Sequence, residues 1–320
     1  MKKAKIAVII IAVIMVVVGC AIAFYGIASI DFNFDKLSTN DAVPKEYTAE
    51  GGFDRIYVDS ILSEIKLVSS EDDSCRVMYT DTHKLIVNVS VEGGELKVIQ
   101  KDERKWYEKI GIFTAKTEII VYLPKEEYES LSVSNTVGDV SVQSGFIFGS
   151  ASVDTTTGDV EFYASVKGRL NASTTTGDVE IYGKEISDVY VESTTGDIEL
   201  SGVTVANDIH LSATTGKVTV SDVTCRQIIS ETTTGKVSLD DVVASGMMKL
   251  NTSTGSVRLD LCDASDIYIE TSTGSVTGTL LSEKQFFTET GTGKVNVPPS
   301  GNGGRCEIET STGSIRIEIN

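Results

Sequence analysis

The chain has 320 residues and 41% hydrophobic content, enough to bury a substantial core and ordinary for a folded protein. Its formal net charge of −18 lacks the basic footprint that nucleic acid or an anionic membrane face requires, so no nucleic-acid partner is expected. Glycine is abundant (28) and proline scarce (4), with Thr, Ser and Val throughout, a composition of short strands joined by glycine turns.

At the N-terminus, Lys2, Lys3 and Lys5 precede an uncharged apolar stretch from Ile6 to Ile30. At 1.5 Å per residue this stretch spans a bilayer core of ~30 Å with some tilt. It predicts a transmembrane helix over 6–30 behind a cytoplasmic tip of residues 1–5. Lysines before it and Asp31, Asp35 and Asp41 after it put the rest of the chain outside a plasma membrane crossed once. Two other readings stay open. One is a cleaved signal peptide, whose apolar core is usually shorter. The other is a lipoprotein, because "VVGC" at 17–20 resembles a lipidation box with Cys20 as the modified residue. The chain stays apolar beyond Cys20, which favours the anchor.

Residues 31–50 are mixed polar and suit a tether. Residues 51–130 then alternate in several runs and read as the irregular N-terminal part of a sheet stack, with a hairpin turn at Gly93–Gly94. Between two runs, "KDERKWYEKIGIF" (101–113) is highly charged and reads as a protruding loop, with Trp106 and Tyr107 as candidate contact residues.

From 131 to 320 one turn keeps returning. Its glycine falls at Gly138, Gly158, Gly177, Gly196, Gly216, Gly235, Gly255, Gly274, Gly293 and Gly313, at intervals of 19 or 20 residues. A period of this size marks a solenoid. Two residues after the glycine every copy carries Val or Ile, from Val140 to Ile315. Four after it the side chain is again apolar in nine copies, Gly278 being the exception, and seven before it an apolar residue opens the preceding strand. Side chains of this alternation share one buried face. Inward parity is odd before the glycine and even after it, so the chain is expected to reset at a corner with glycine at positive φ. Thr precedes the glycine in nine copies, and such stacked hydroxyls suggest a ladder. A third apolar position seven after the glycine (Val203, Val223, Val242, Cys262, Leu281) suggests a further short strand. The predicted fold is all-β: a single-stranded parallel β-helix of 19–20-residue coils, two- or three-faced and right-handed, behind one transmembrane helix.

Chemistry is sparse. His83 and His210 are the only imidazoles, and His210, between Ile209 and Leu211, faces outward. Cys20, Cys75, Cys225, Cys262 and Cys306 form no CxxC pair. They read mostly as inert apolar fillers, a single disulfide being the alternative. No catalytic residue, cofactor or metal site is expected. The residue after the glycine is acidic in the early coils (Asp139, Asp159, Asp178, Asp197) and Lys or Ser later. Glu161, Glu180 and Glu199 extend the acidic strip, whereas Arg258 and Arg316 occupy their column further on. This strip is the candidate binding surface, on a face polarised along its axis. Calcium wants 6–8 oxygens in a concave cage, which a flat ladder does not supply. The chain stops on "SIRIEIN", a strand with no apparent cap, so end-to-end self-association is expected there.

With the lysine-flanked apolar segment, "FDRIYVDSILSEIKLVSSEDD", "IIVYLPKEEYESLSVSNTVGDVSV" and the "TTGDV" coils, the chain resembles the DUF4097 family of bacterial envelope proteins over roughly residues 50–320. The resemblance implies a β-strand repeat fold and a cell-surface role, adhesin being the usual label, and it brings no catalytic residues. Family members also occur beside regulators of the cell-envelope stress response. The expected function is therefore a membrane-anchored binding, adhesion or structural module with an unknown glycan or protein ligand. An accessory or sensor protein of envelope stress is the alternative. A carboxylate-dependent polysaccharide-cleaving enzyme is a third reading, by analogy of fold.

Overall fold

The computed structural model describes residues 15–21, 24–25, 42–72, 74–82, 84–104 and 117–320. Residues 15–21 and 24–25 are helical, and among the described residues no helix is long and apolar enough to cross a membrane. Most of the 6–30 stretch, and Trp106 and Tyr107, lie outside the described residues.

The repeat folds as a parallel β-solenoid. Each coil contributes three short runs, for example Ser165–Val166, then Leu170–Thr176, then Val179–Ile181, each hydrogen-bonded in register to the coils on either side. The first two runs belong to one bent strand, Ser165–Thr176, kinked at a register shift. The cross-section is three-sided because the chain bends there, at the glycine, and again six residues after the glycine. That third bend is left-handed in the middle coils: Gly202 has φ 66°, Asp222 53°, Asp241 50° and Leu261 51°. The predicted columns point inward. Val140, Val160, Val179 and Ile198 are fully buried, as are Leu170, Val189, Val142 and Phe162. At the early end Phe53, Tyr128, Phe146 and Phe148 stack within the core at centroid distances of 5.9–6.5 Å. Of the third apolar column, Val203, Val223, Val242 and Cys262 are buried, but Leu281 is exposed. Leu280 takes the place opposite Cys262, because the register shifts by one residue after Leu259.

The corner glycine answers to a tighter constraint than the backbone reset read from the sequence. Gly177 does have positive φ, 147°, but Gly235 does not. What they share is proximity: a Cβ on Gly177 would stand 2.0 Å from the carbonyl oxygen of Gly158, and one on Gly235 1.7 Å from that of Gly216. Each corner lies directly on the one before it. The hydroxyl ladder expected at the preceding Thr is found two residues earlier. Thr174 Oγ1 donates to Gly158 O (3.0 Å), Thr271 Oγ1 to Gly255 O (3.0 Å) and Thr310 Oγ1 to Gly274 O (3.0 Å), all three threonines being buried. The Thr next to the glycine is exposed and serves through its backbone, as where Gly158 N donates to Thr176 O.

Chain order and stacking order part company at both ends. Strands Arg55–Leu62 and Glu64–Ser69 form a coil directly beneath the Gly138 coil. Strands Glu95–Asp102 and Glu118–Leu123, later in the chain, lie beneath that coil. Buried Gln100 accepts from Ser60 Oγ, Ile61 N and Leu62 N and donates to Ser63 Oγ, closing a corner that has no glycine. Antiparallel strands finish this end: Leu85–Glu92 pairs with Glu95–Asp102 through the Gly93–Gly94 turn, and Cys75–Asp81 with Glu118–Leu123. Val43–Ala49 pairs with Cys75–Asp81, so the sheet begins inside the stretch expected as a tether.

At the far end, Arg305–Thr312 and Ile315–Ile319 insert between the Gly274 coil and the Gly293 coil, pairing with both. The final strand, expected to be an open edge, is therefore paired along its whole length with Val276–Leu280 and on its other side at Ile315 and Arg316. The last coil of the stack is instead Gln285–Thr292 with Val295–Asn296, where Phe287 is 47% and Val295 44% exposed. Lys284, 4% exposed, pins the crossing: its Nζ lies 2.6 Å from Asp263 Oδ1 and donates to Ala264 O and Ser282 Oγ.

Replacing Gly177 by Ala should cost more than about 3 kcal/mol, since neither backbone can yield, and should lower the melting temperature sharply by circular dichroism. Asp241→Gly should raise stability by about 0.5 kcal/mol, because a non-glycine residue in the left-handed region costs about 1–2 kcal/mol, glycine returns only part of that as entropy, and the exposed Asp241 side chain gives up no burial.

Candidate functional site

The exposed side of the strand that follows each glycine corner carries the charges singled out in the sequence. The parallel register places Glu161, Glu180 and Glu199 side by side on successive coils. Thr219 and Ser238 continue the same column, Arg258, Thr277 and Arg316 follow, and Ser141 and Asn296 flank the run at its two ends. The polarity expected along the axis is thus a property of one continuous face. At a strand spacing of about 4.8 Å, neighbouring carboxylates repel by only about 1 kcal/mol in water, so the run is tolerated.

The aspartates of the strip have a different occupation. Asp139 Oδ1 accepts from the backbone N–H of Asp159 (2.9 Å), Asp159 Oδ1 from Asp178 (2.7 Å), Asp178 Oδ1 from Asp197 (2.6 Å) and Asp197 Oδ1 from Lys217 (2.7 Å). Each carboxylate satisfies a corner N–H of the next coil, which points out of the ladder and has no backbone partner there. Ser does the same work in a later coil, where Ser275 Oγ accepts from Ser314 N at 3.3 Å. The Asp-to-Ser change along the column therefore exchanges one short acceptor for another. One oxygen of each aspartate remains free toward solvent, and among the described residues no group of three or more His, Cys, Asp or Glu is placed to hold a metal ion.

The glutamates are joined by two side chains that the pattern of acidic residues did not single out, Tyr163 and Tyr182. Each stands two residues beyond its Glu, hence on the same outward side, and the rings stack at 5.2 Å with 12° between planes. Tyr182 Oη donates to Glu180 Oε2 at 3.3 Å. Burial raises the Tyr182 phenol above its ordinary value, and the hydrogen bond to Glu199 with the charges of Glu180 and Glu199 raises it further. Tyr163 moves the same way through burial and the charges of Glu161 and Glu180. Both phenols stay protonated donors beside anionic acceptors. Their signal was legible as two tyrosines at the same distance from the glycine in neighbouring copies.

At the other end of the face the arginines stand 57% and 65% exposed, each paired along its own strand, Arg258 with Asp260 (3.0 Å) and Arg316 with Glu318 (3.2 Å). Between them Thr277, Gly278 and Thr279 leave a shallow groove. Gly278 interrupts the inward apolar column because a Cβ there would meet Leu259 Cβ at 2.7 Å.

Elsewhere, Arg169 lies 4.3 Å over the Tyr190 ring, which stacks on His210 at 5.9 Å, so the one described histidine is an outward member of a surface array. His83 lies outside the described residues. All five cysteines are free. Cys75, Cys225 and Cys306 are pushed up to about 12 and Cys262 to about 11, chiefly by burial, which removes the reactive thiolate, whereas Cys20 is exposed.

A family model described as Toastrack DUF4097 matches residues 53–212 and again 204–320. No curated protein matches the sequence. Solved structures of similar shape include a "putative adhesin" from Bacteroides fragilis, 13% identical with a TM-score of 0.41, covering 88% of this chain and 99% of that one. A "putative lipid binding protein" from Parabacteroides distasonis is 14% identical with a TM-score of 0.48, covering 87% and 98%. A "putative adhesin" from Parabacteroides merdae is 13% identical with a TM-score of 0.46, covering 88% and 98%.

Asp178→Asn, which keeps the acceptor oxygen, should leave the melting temperature nearly unchanged, while Asp178→Ala should cost about 1 kcal/mol for the orphaned corner N–H. Chelator should leave both melts where they are. Cys75, Cys225, Cys262 and Cys306 should react with a thiol reagent only as the fold opens, so their labelling should track denaturant in a mass-resolved assay.

Proposed function

This chain belongs to the DUF4097 (Toastrack) family, and from that membership we propose that it is a binding, adhesion or structural module of the bacterial envelope, held outside the plasma membrane by its N-terminal apolar segment. The observation that supports a binding role is the outward pair of stacked tyrosines set into a row of glutamates on a rigid ladder. Aromatic faces flanked by carboxylates suit two kinds of partner. A glycan offers C–H faces to the rings and hydroxyl donors to the carboxylates, and a protein offers cationic or amide side chains. The ladder supplies the preorganisation, since the strands that carry the glutamates are hydrogen-bonded to the coils on both sides. Catalysis has no part in this reading.

The full chain in mild detergent, probed on glycan and protein arrays, should bind a defined subset of spots, and Tyr163→Ala with Tyr182→Ala should reduce that signal by about tenfold or more while the melting curve holds. Signal that survives both substitutions would place binding elsewhere, and no signal at all would remove the binding role. Protease added to intact cells should digest residues beyond 42 and spare the N-terminal segment. Full protection would contradict display outside the membrane.

A further inference from the structure

The face that carries the glutamates and arginines is complementary to itself when turned end over end. Eight successive coils carry it, with Glu161, Glu180 and Glu199 on the first three and Arg258, Thr277 and Arg316 on the last three, and uncharged Ser141 and Asn296 flank them on the next coil at either end. A two-fold axis along the strand direction, passing between Thr219 and Ser238, keeps strand direction and reverses coil order. It sets Glu161 opposite Arg316 of a second copy, Glu199 opposite Arg258, and Glu180 opposite Thr277. By symmetry each pairing occurs twice.

The neighbouring outward column, two residues further along each strand, obeys the same operation. Tyr163 meets Glu318, Tyr182 meets Thr279, Ser201 meets Asp260 and Ser221 meets Asp240, so each carboxylate faces a hydroxyl donor. Shape agrees with charge. The bulky Glu180 and Tyr182 come opposite the groove at Thr277, Gly278 and Thr279, which puts the Glu180 carboxylate between the two arginines that flank it. One like-charge meeting, Lys217 with Lys236, lies outside the face at the solvated corner. The other two-fold that joins these faces, along the solenoid axis, sets Glu on Glu and Arg on Arg and is excluded by repulsion. Arg258 and Arg316 now hold only exposed same-strand partners, contacts that contribute little and are readily exchanged.

From this we infer that the face is the docking surface for a second copy of the same chain, the two solenoids lying antiparallel. The inference rests on the reading of this face as a binding surface and names its protein partner. It makes the chain a homotypic module, able to join two molecules on one cell or on two.

The test uses the full chain with Cys20→Ser, so that its four remaining cysteines are buried. Glu180 and Thr277 lie five coils apart, about 24 Å within one molecule, and face each other only between antiparallel copies. Glu180→Cys with Thr277→Cys should therefore give a covalent dimer on mild oxidation. Glu180→Cys alone should stay monomeric, and a dimer from that variant would overturn the antiparallel geometry. Glu161→Arg with Glu199→Arg, and separately Arg258→Glu with Arg316→Glu, should each raise the self-dissociation constant by at least about tenfold. Mixing the two variants should restore association as a heterodimer, an outcome that simple misfolding would not give. Wild-type protein that sediments as a monomer at about 0.1 mM in low salt, or a mixture that stays monomeric, would overturn the proposal. Array binding that persists in such monomers would leave the broader binding role standing, and loss of both would remove the two together.

Discussion

The stacking of one backbone corner directly on another governs this molecule. At each corner the glycine Cα sits over the preceding glycine's carbonyl oxygen, closer than any side chain allows, with a separation of 1.7–2.2 Å for a notional Cβ along the regular stack. Everything near the corner follows from holding that contact without stranding a polar group. The carbonyl receives a buried Thr or Ser hydroxyl from the coil above, and the N–H after the glycine receives an Asp or Ser oxygen from the coil below. Buried polar groups left unpaired cost about 1–3 kcal/mol each. The hydroxyl-to-carbonyl bond repeats at nearly every turn. The N–H bond recurs wherever the column holds Asp, as in the early coils, or Ser, as at Ser275 and Ser314, but not where it holds Lys217 and Lys236. Ala213 is the one member of the buried hydroxyl column with no donor to give.

A solenoid must also end, and a parallel stack has no inherent way of doing so. Here both ends exchange the order of their last two coils. The chain enters the regular stack through a coil that already has one beneath it, and it finishes between two coils rather than on top of one. The C-terminal end of the chain is thereby threaded into the ladder, where fraying at Ile315 and Arg316 would require breaking pairings on two sides, whereas the first strand, Val43–Ala49, pairs on one side only. At the first end antiparallel strands lie over the outermost coil. At the other, the Gly293 coil presents an outer edge with part of its apolar column uncovered.

Function is written on the outside of this frame, where the frame itself imposes no identity. The corner aspartates look like a binding strip in sequence and turn out to be occupied by backbone. The glutamates and tyrosines further along the strand are free of that duty, and the same column carries arginines at the opposite end of the face. A rigid ladder converts a residue's place in the repeat into a fixed position on the surface, so a change of sign along one column becomes a charge gradient in space.

The repeat period, the inward valines, the all-β solenoid and the hairpin at Gly93–Gly94 were legible in the sequence, because glycine intervals and alternation are direct consequences of local geometry. The two bends beyond the glycine left weaker marks, and Asp222, Asp241 and Leu261 carry none of the usual glycine signal for a left-handed corner. Three matters were decided only in the folded molecule. Which polar residue donates at the corner depends on which one lies inside, so the buried column of Thr155, Thr174 and Ser193 was hidden behind the more conspicuous Thr next to the glycine. Whether an acidic residue is free depends on the coil above it. The order of coils at the two ends depends on pairing between segments far apart in the chain, which equal spacing along the sequence does not encode. Sequence determined the unit, since a coil is built from local contacts. Tertiary structure determined the order of units and the exposure of their outer faces, since both arise only between coils.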